Sequence, residues 1–218
     1  MKVFFPKTPK FVTWFYPKRI WSFSRSEYNV YLTFDDGPIP EVTPWVLEQL
    51  KKYHSKATFF CIGENITKHP EIFKQLVSEG HSYGNHTYNH LKGTITPHQK
   101  YLDNVVAFEE ILQQSNFPKI HPSHLFRPPY GKLKHSQAKI LLKKGYKIVM
   151  WEVLPYDWDK NVSKEKCLEN VVKNISPGSI VVFHDSLKAE KNLKYTLPRV
   201  LEFIDKKGWK AEKIQIEY

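Results

Sequence analysis

From residue 30 onward the hydrophobic positions fall into two alternating patterns. Short runs rich in β-branched and aromatic residues, at 30–34, 57–62, 81–83, 124–126, 147–151, 179–183 and 209–216, have the length and composition of strands. Between them the apolar residues recur at helical spacing. The stretch 43–53 puts Val46, Leu47 and Leu50 on one face, and 71–79 does the same with Ile72 and Leu76 before Gly80. A longer helix over 97–114 turns Leu102, Val105, Val106, Ile111 and Leu112 inward. Further helices are predicted at 136–144, from Ser163 to a stop before Pro177-Gly178, and at 193–207, closed by Gly208.

Strands that alternate with helices predict parallel βαβ units and an α/β fold. Periodicity leaves two architectures open, a closed (β/α) barrel and an open doubly wound sheet. Both place their active sites beyond the carboxyl ends of the strands, so chemistry is sought there.

A chain of 218 residues with 41% hydrophobic and 15% aromatic positions can form one domain with its own core. Disorder and collagen-like repeats are excluded by that composition. Cys61 and Cys167 stand far apart among hydrophobic neighbours and are read as buried free thiols. No run reaches the roughly 18 apolar residues of a membrane helix. The basic, aromatic start is interrupted by Pro6, Pro9 and Pro17 and is read as mature sequence without an export signal. The expected organisation is an extension over 1–27 and a domain over 28–218, with a cytoplasmic or envelope-associated location.

Five groups capable of chemistry follow predicted strands. Asp35-Asp36-Gly37-Pro38 closes the first; two adjacent carboxylates repel unless one binds a cation and the other meets a basic partner. After the third strand, His86 and His90 have i, i+4 spacing, which on a helical turn directs both rings at one metal. With one carboxylate they complete a two-His, one-Asp ligand set. Arg127-Pro128-Pro129-Tyr130-Gly131 follows the fourth strand: a rigid backbone able to aim an N–H at an oxyanion, and an arginine able to pair with an early aspartate. Asp157-Trp158 follows the fifth strand, and His184 ends the sixth, placed as an acid or base. Their clustering at one face of one sheet predicts a metal-assisted hydrolase. Asp185 is read as structural, His121 and His124 as loop residues, Glu109-Glu110 as a solvated helix face, and Trp151 with Phe59 and Phe60 as core.

These motifs resemble those of the polysaccharide deacetylases, the NodB-homology domain of carbohydrate esterase family 4, from about Tyr28 to the last strand. TFDDGP at 33–38 and HTYNH at 86–90 are full matches, RPPYG at 127–131 fits a third motif, and Asp157-Trp158 the core of a fourth. Val182-Phe183-His184 fits the fifth, with Val182 where the family has leucine. The resemblance implies a distorted (β/α)7 barrel in one domain. It implies Asp36, His86 and His90 as ligands of a divalent metal, zinc most simply, with cobalt or nickel suiting the same set. It further implies Asp35 as general base held by Arg127, His184 as general acid supported by Asp157, the Tyr130 N–H as oxyanion donor, and Trp158 with Val182 around the acetyl methyl.

The implied reaction is N-deacetylation of an amino-sugar polysaccharide such as peptidoglycan or a chitin-like oligosaccharide. The alternatives are a small-molecule amide or an O-acetyl xylan ester at the same site, a carbohydrate-binding protein without turnover, and a nucleic-acid binder. The formal charge of +11 is local: residues 1–26 hold six Lys and Arg and no acid, 111–151 hold eight and none, and 27–110 hold seven against eleven acids. Because the segment with both aspartates and both ligand histidines is acidic, the excess is read as docking to an anionic envelope polymer or membrane surface. Nucleic acid is not an expected partner, and a monomer is.

Overall fold

The computed structural model describes residues 5–114, 117 and 124–216; His121 lies outside them. Strand β1, Asn29–Asp35, pairs with three other strands. Its sequence NVYLTFD is almost continuously buried because β2, Thr58–Cys61, and β6, Ile180–His184, pair with it in parallel on either side. Beyond β2 the sheet continues through β3, Ser82–Asn85, β4, Leu125–Phe126, and β5, Lys147–Ile148, while β7, Lys210–Ala211, pairs with the start of β1. After β5 the chain bends so that Val153 bridges Val181 of β6, which brings the two ends of the sheet together. The six strands from β5 to β6, closed by this bridge, and β7 beside the start of β1 form the distorted (β/α)7 barrel that the motifs implied.

Eight helices surround the strands among the described residues: α1 Lys10–Phe15, α2 Thr43–Lys52, α3 Gly63–Lys68, α4 Pro70–Ser78, α5 His98–Gln114, α6 His135–Lys143, α7 Lys164–Val172 and α8 Glu190–Lys206. Among the described residues, no helix is long and apolar enough to cross a membrane. The period-two alternation of a strand sorts side chains between two cores. Val30, Leu32 and Phe34 of β1, with Val181 and Phe183 of β6, pack against Val46 and Leu50 of α2, Phe73 of α4 and Leu197 of α8. Phe60, Leu125, Val149 and Ile180 cluster separately in the barrel interior. Asp35, Val182 and His184, which alternate with Phe34, Val181 and Phe183, line a cleft at the carboxyl ends. Cys61 and Cys167 are buried free thiols, as expected.

Several expectations are corrected. Val106 is exposed, because α5 buries Tyr101, Val105 and Phe108 and so presents a different face. The last strand is two residues long; past it, the Ile214 N–H donates to Thr58 Oγ1 instead of continuing a ladder. Helices α1 and α3 were not anticipated. The first lies in a proline-punctuated stretch and buries no side chain, and the second begins on Gly63, where a Cβ would come within 2.7 Å of the Tyr88 ring. Glu109 is half-buried, accepting from Asn85 Nδ2 at 3.0 Å and Tyr146 Oη at 3.1 Å, and burial raises its carboxyl above the usual range. Glu110 alone is solvated.

Phe34 stacks between Phe59, at a ring separation of 5.0 Å, and Phe183, at 5.8 Å, directly under the cleft. Phe34→Ala is expected to cost about 3–5 kcal/mol in equilibrium urea unfolding with little change in the denaturant slope. A loss below about 1 kcal/mol would contradict this packing.

Candidate active site

The turn after β1 is held from below by Asp185. The Gly37 N–H donates to Asp185 Oδ1 at 3.1 Å, and Thr43 Oγ1 donates to Oδ2 at 2.6 Å. A Cβ on Gly37 would stand 2.0 Å from Asp185 Oδ2, so only glycine fits here. Burial pushes the Asp185 carboxyl up to about 8 against those two hydrogen bonds, and its role is structural, as expected. Asp36 has φ +84°, and its carbonyl accepts from Asn65 Nδ2 at 2.7 Å. The chain is thereby turned so that Asp35 and Asp36 reach the cleft from adjacent positions.

Asp35, buried at the end of β1, accepts from Arg127 Nη1 at 2.7 Å through Oδ1. Arg127 is wholly buried, and its remaining donors reach Thr33 Oγ1 at 2.7 Å, the Val149 carbonyl at 3.1 Å and the Met150 carbonyl at 2.7 Å. Its guanidinium also lies 4.1 Å from the centre of the Phe60 ring, a cation–π contact. Burial weakens the guanidinium's hold on its proton, and Asp35 opposes that effect.

Asp36, His86 and His90 converge so that one ligand atom from each lies within 4.8 Å of the others. The expected helical turn is absent: residues 86–90 form a loop with Thr87 at φ +64° and His90 at φ +56°, yet the ring centroids come within 5.1 Å. His86 Nδ1 lies 2.7 Å from the Arg127 carbonyl; a carbonyl only accepts, so Nδ1 carries the hydrogen and Nε2 keeps its lone pair. Burial holds His86 down to about 4, hence neutral at pH 7. Asp36 Oδ1 is 3.2 Å from His90 Nε2 and 3.8 Å from His86 Nε2, yet is buried without a hydrogen-bond partner. Burial raises the Asp36 carboxyl, but His90 beside it and the charge of His184 outweigh that and hold it well below the usual range. An orphaned carboxylate oxygen facing two imidazole nitrogens fits a divalent cation with N and O ligands.

Across the cleft, His184 Nδ1 donates to Asp157 Oδ1 at 2.9 Å, and the His184 backbone N–H donates to Asp157 Oδ2 at 2.8 Å. Burial lowers the imidazole, but Asp157 outweighs it and the ring is raised to about 9. Trp158 packs edge-on against His184 at 4.6 Å, and Val182 lines the wall between them and Asp35. Tyr130 has φ +61° in the turn Pro129–Gly131, and its N–H donates no hydrogen bond among the described residues. The cleft encloses about 610 Å³.

All ten residues singled out in the sequence gather at this cleft, Arg127 and Asp157 from behind it. Others were missed. Trp151, expected in the core, lines the wall with Leu154, and Lys92, Lys132 and Lys188 stand around the mouth. Asn65 positions the carboxylate turn from α3, and Thr43 does so through Asp185 from the start of α2. Lone lysines and a helix asparagine carry no motif, so nothing in the sequence distinguished them.

A family model described as polysaccharide deacetylase matches residues 24–149. A peptidoglycan-N-acetylglucosamine deacetylase of Bacillus cereus is 41% identical over 72% of this chain, a match spanning 56% of that relative's length. A chitooligosaccharide deacetylase of a Bradyrhizobium strain is 36% identical over 72% of this chain and 70% of its own. A crystal structure of a peptidoglycan N-acetylglucosamine deacetylase with a bound N-oxidanyl-benzamide superposes with a TM-score of 0.85, at 33% identity, over 95% of both chains.

Because Arg127 and Asp35 are desolvated together, removing one strands the other. Arg127→Met is expected to destabilise the fold by about 3–5 kcal/mol in chemical unfolding, and Arg127→Met with Asp35→Leu by clearly less. Additive losses in the double variant would refute the coupling.

Proposed function

The chain belongs to the polysaccharide deacetylase family, and from that premise we propose that it is a metal-dependent hydrolase removing N-acetyl groups from an amino-sugar polysaccharide, with release of acetate. The observation that carries this reading is the convergence of Asp36, His86 and His90 beside a carboxylate fixed by a buried arginine. Peptidoglycan and chitin-like oligosaccharides are the substrates to test, supported by the names of the relatives. The excess basic charge of residues 1–26 supports an additional anionic partner at the cell envelope.

Asp36, His86 and His90 would hold the cation, and their two-nitrogen, one-oxygen set suits zinc, with cobalt or nickel as substitutes. When bound, such a cation supplies Lewis-acid polarisation of the acetamide carbonyl and acidifies water. Asp35 takes the proton from the attacking water. Its Oδ1 is occupied by Arg127, which leaves Oδ2, 4.0 Å from His86 Nε2, as the accepting atom. The unpaired N–H of Tyr130 donates to the developing oxyanion. His184 then delivers its proton to the departing amine, and Asp157 keeps that proton on the ring at neutral pH. Trp158 and Val182 enclose the acetyl methyl.

Purified protein is expected to release acetate from chitin oligomers or acetylated peptidoglycan, to stop when chelated and to recover with zinc, cobalt or nickel. Asp35→Asn should lower kcat by roughly 10²–10⁴ while still binding metal, whereas His90→Ala should lose the metal. Acetate assays with metal analysis of each variant check both, and a fully active Asp35→Asn enzyme would exclude the base role.

The state of His184 sets the alkaline limit. A raised imidazole keeps its proton below its pKa, so kcat/KM should fall as pH rises through about 9. Asp157→Asn removes the principal stabilising charge and should move that limb toward neutrality by roughly one pH unit or more. An unmoved limb in this variant would remove His184 from the acid role.

A further inference from the structure

Five of the ten exposed large hydrophobic side chains of the described residues fall within 5–16. On α1, Phe11 is 61% exposed, Trp14 75% and Phe15 66%, at the i, i+3, i+4 spacing of one helical face. None of the α1 side chains is buried, so packing against the barrel does not explain their identity. Beside this helix runs a groove of about 680 Å³ between residues 15–19 and α6, with Phe15 and Leu142 on its apolar wall and Lys18, Arg19, Lys139 and Lys143 around it. The two acid-free segments, far apart in sequence, thus meet on one surface. Lys7 and Arg25 are satisfied by Glu152, but these four cations and Lys10 have no acidic partner among the described residues.

We propose that the face formed by α1 and α6 docks on an anionic phospholipid bilayer, with Phe11, Trp14 and Phe15 entering the headgroup boundary and the flanking lysines meeting lipid phosphates. Aromatic rings interleaved with cations are the composition of an interfacial anchor. A purely polyanionic wall polymer would be held by the cations alone and would leave the rings in water. Two copies of this face would set like charges against each other. The Thr8 N–H donates to the Glu152 carbonyl at 2.8 Å, and Thr8 Oγ1 donates to the Trp151 carbonyl at 2.9 Å. The anchor is thereby tied to the cleft wall, and docking fixes the orientation of the cleft to the surface. None of this rests on the deacetylase reading, since no anchor residue takes part in the proposed chemistry.

Co-sedimentation of the full chain with vesicles of phosphatidylglycerol and phosphatidylcholine, against phosphatidylcholine alone, tests the proposal. The protein is expected to pellet with the anionic vesicles, and its tryptophan emission to shift to shorter wavelength, a shift absent when Trp14 is replaced. Trp14→Ser with Phe15→Ser, and separately Lys139→Gln with Lys143→Gln on the well-formed α6, should each lower partition more than tenfold. Far-UV circular dichroism and acetate release from a soluble chitin oligomer should stay unchanged in both. Failure of the parent protein to bind anionic vesicles would overturn the proposal. So would binding that both pairs leave intact, binding to purified anionic wall polymer but not to vesicles, or a dimer abolished by the aromatic pair.

Discussion

The Arg127 guanidinium lies entirely out of solvent, and a cation in that position is tolerable only when every neighbour answers it. It reaches Asp35 and Thr33 of β1 and the carbonyls of Val149 and Met150 beyond β5, while its own carbonyl fixes the tautomer of His86. One residue therefore joins the barrel wall to the proposed base through its side chain and to one proposed ligand through its backbone. The barrel interior, filled elsewhere by Phe60, Leu125, Val149 and Ile180, is the low-dielectric surrounding that makes these contacts strong and their loss costly.

Three electrostatic units result, each tuned by a different neighbour. Asp35 is tied to a buried cation, Asp36 faces two imidazoles, and His184 rests on a buried aspartate. His86 is buried and His184 largely so, yet one is lowered and the other raised. At His86 burial outweighs the carboxylates of Asp35 and Asp36, neither of which is hydrogen-bonded to the ring, whereas Asp157 is bonded directly to His184 and outweighs burial there. One residue type thus offers an open lone pair on one side of the cleft and a retained proton on the other.

Much of the site was legible because its residues occur as contiguous groups directly after strands, where chain order and spatial order coincide. Asp35-Asp36, His86 with His90, Arg127 and His184 needed only strand assignment to be brought together. The helices flanking the sheet were legible for the same reason, as amphipathic repeats such as Val46, Leu47 and Leu50. What escaped depends on contacts remote in sequence. Asn65 supports Asp36 from α3, a helix hidden by its starting glycine, and the bridge from Val153 to Val181 closes the barrel without a strand pattern of its own. The histidine pair was found through its spacing, although an irregular loop and not a helical turn brings the rings together.

The contact between Gly37 and Asp185 has a consequence for descent. The carboxylate of residue 185 occupies the volume that any side chain at 37 would need, and it also binds the turn that a change at 37 would disturb. The two positions, far apart in the chain, form one steric unit. A side chain at 37 needs a shorter one at 185, and shortening residue 185 surrenders the hydrogen bonds to Gly37 and Thr43. Either change made alone passes through a less stable protein, so the two positions can change together far more easily than one at a time.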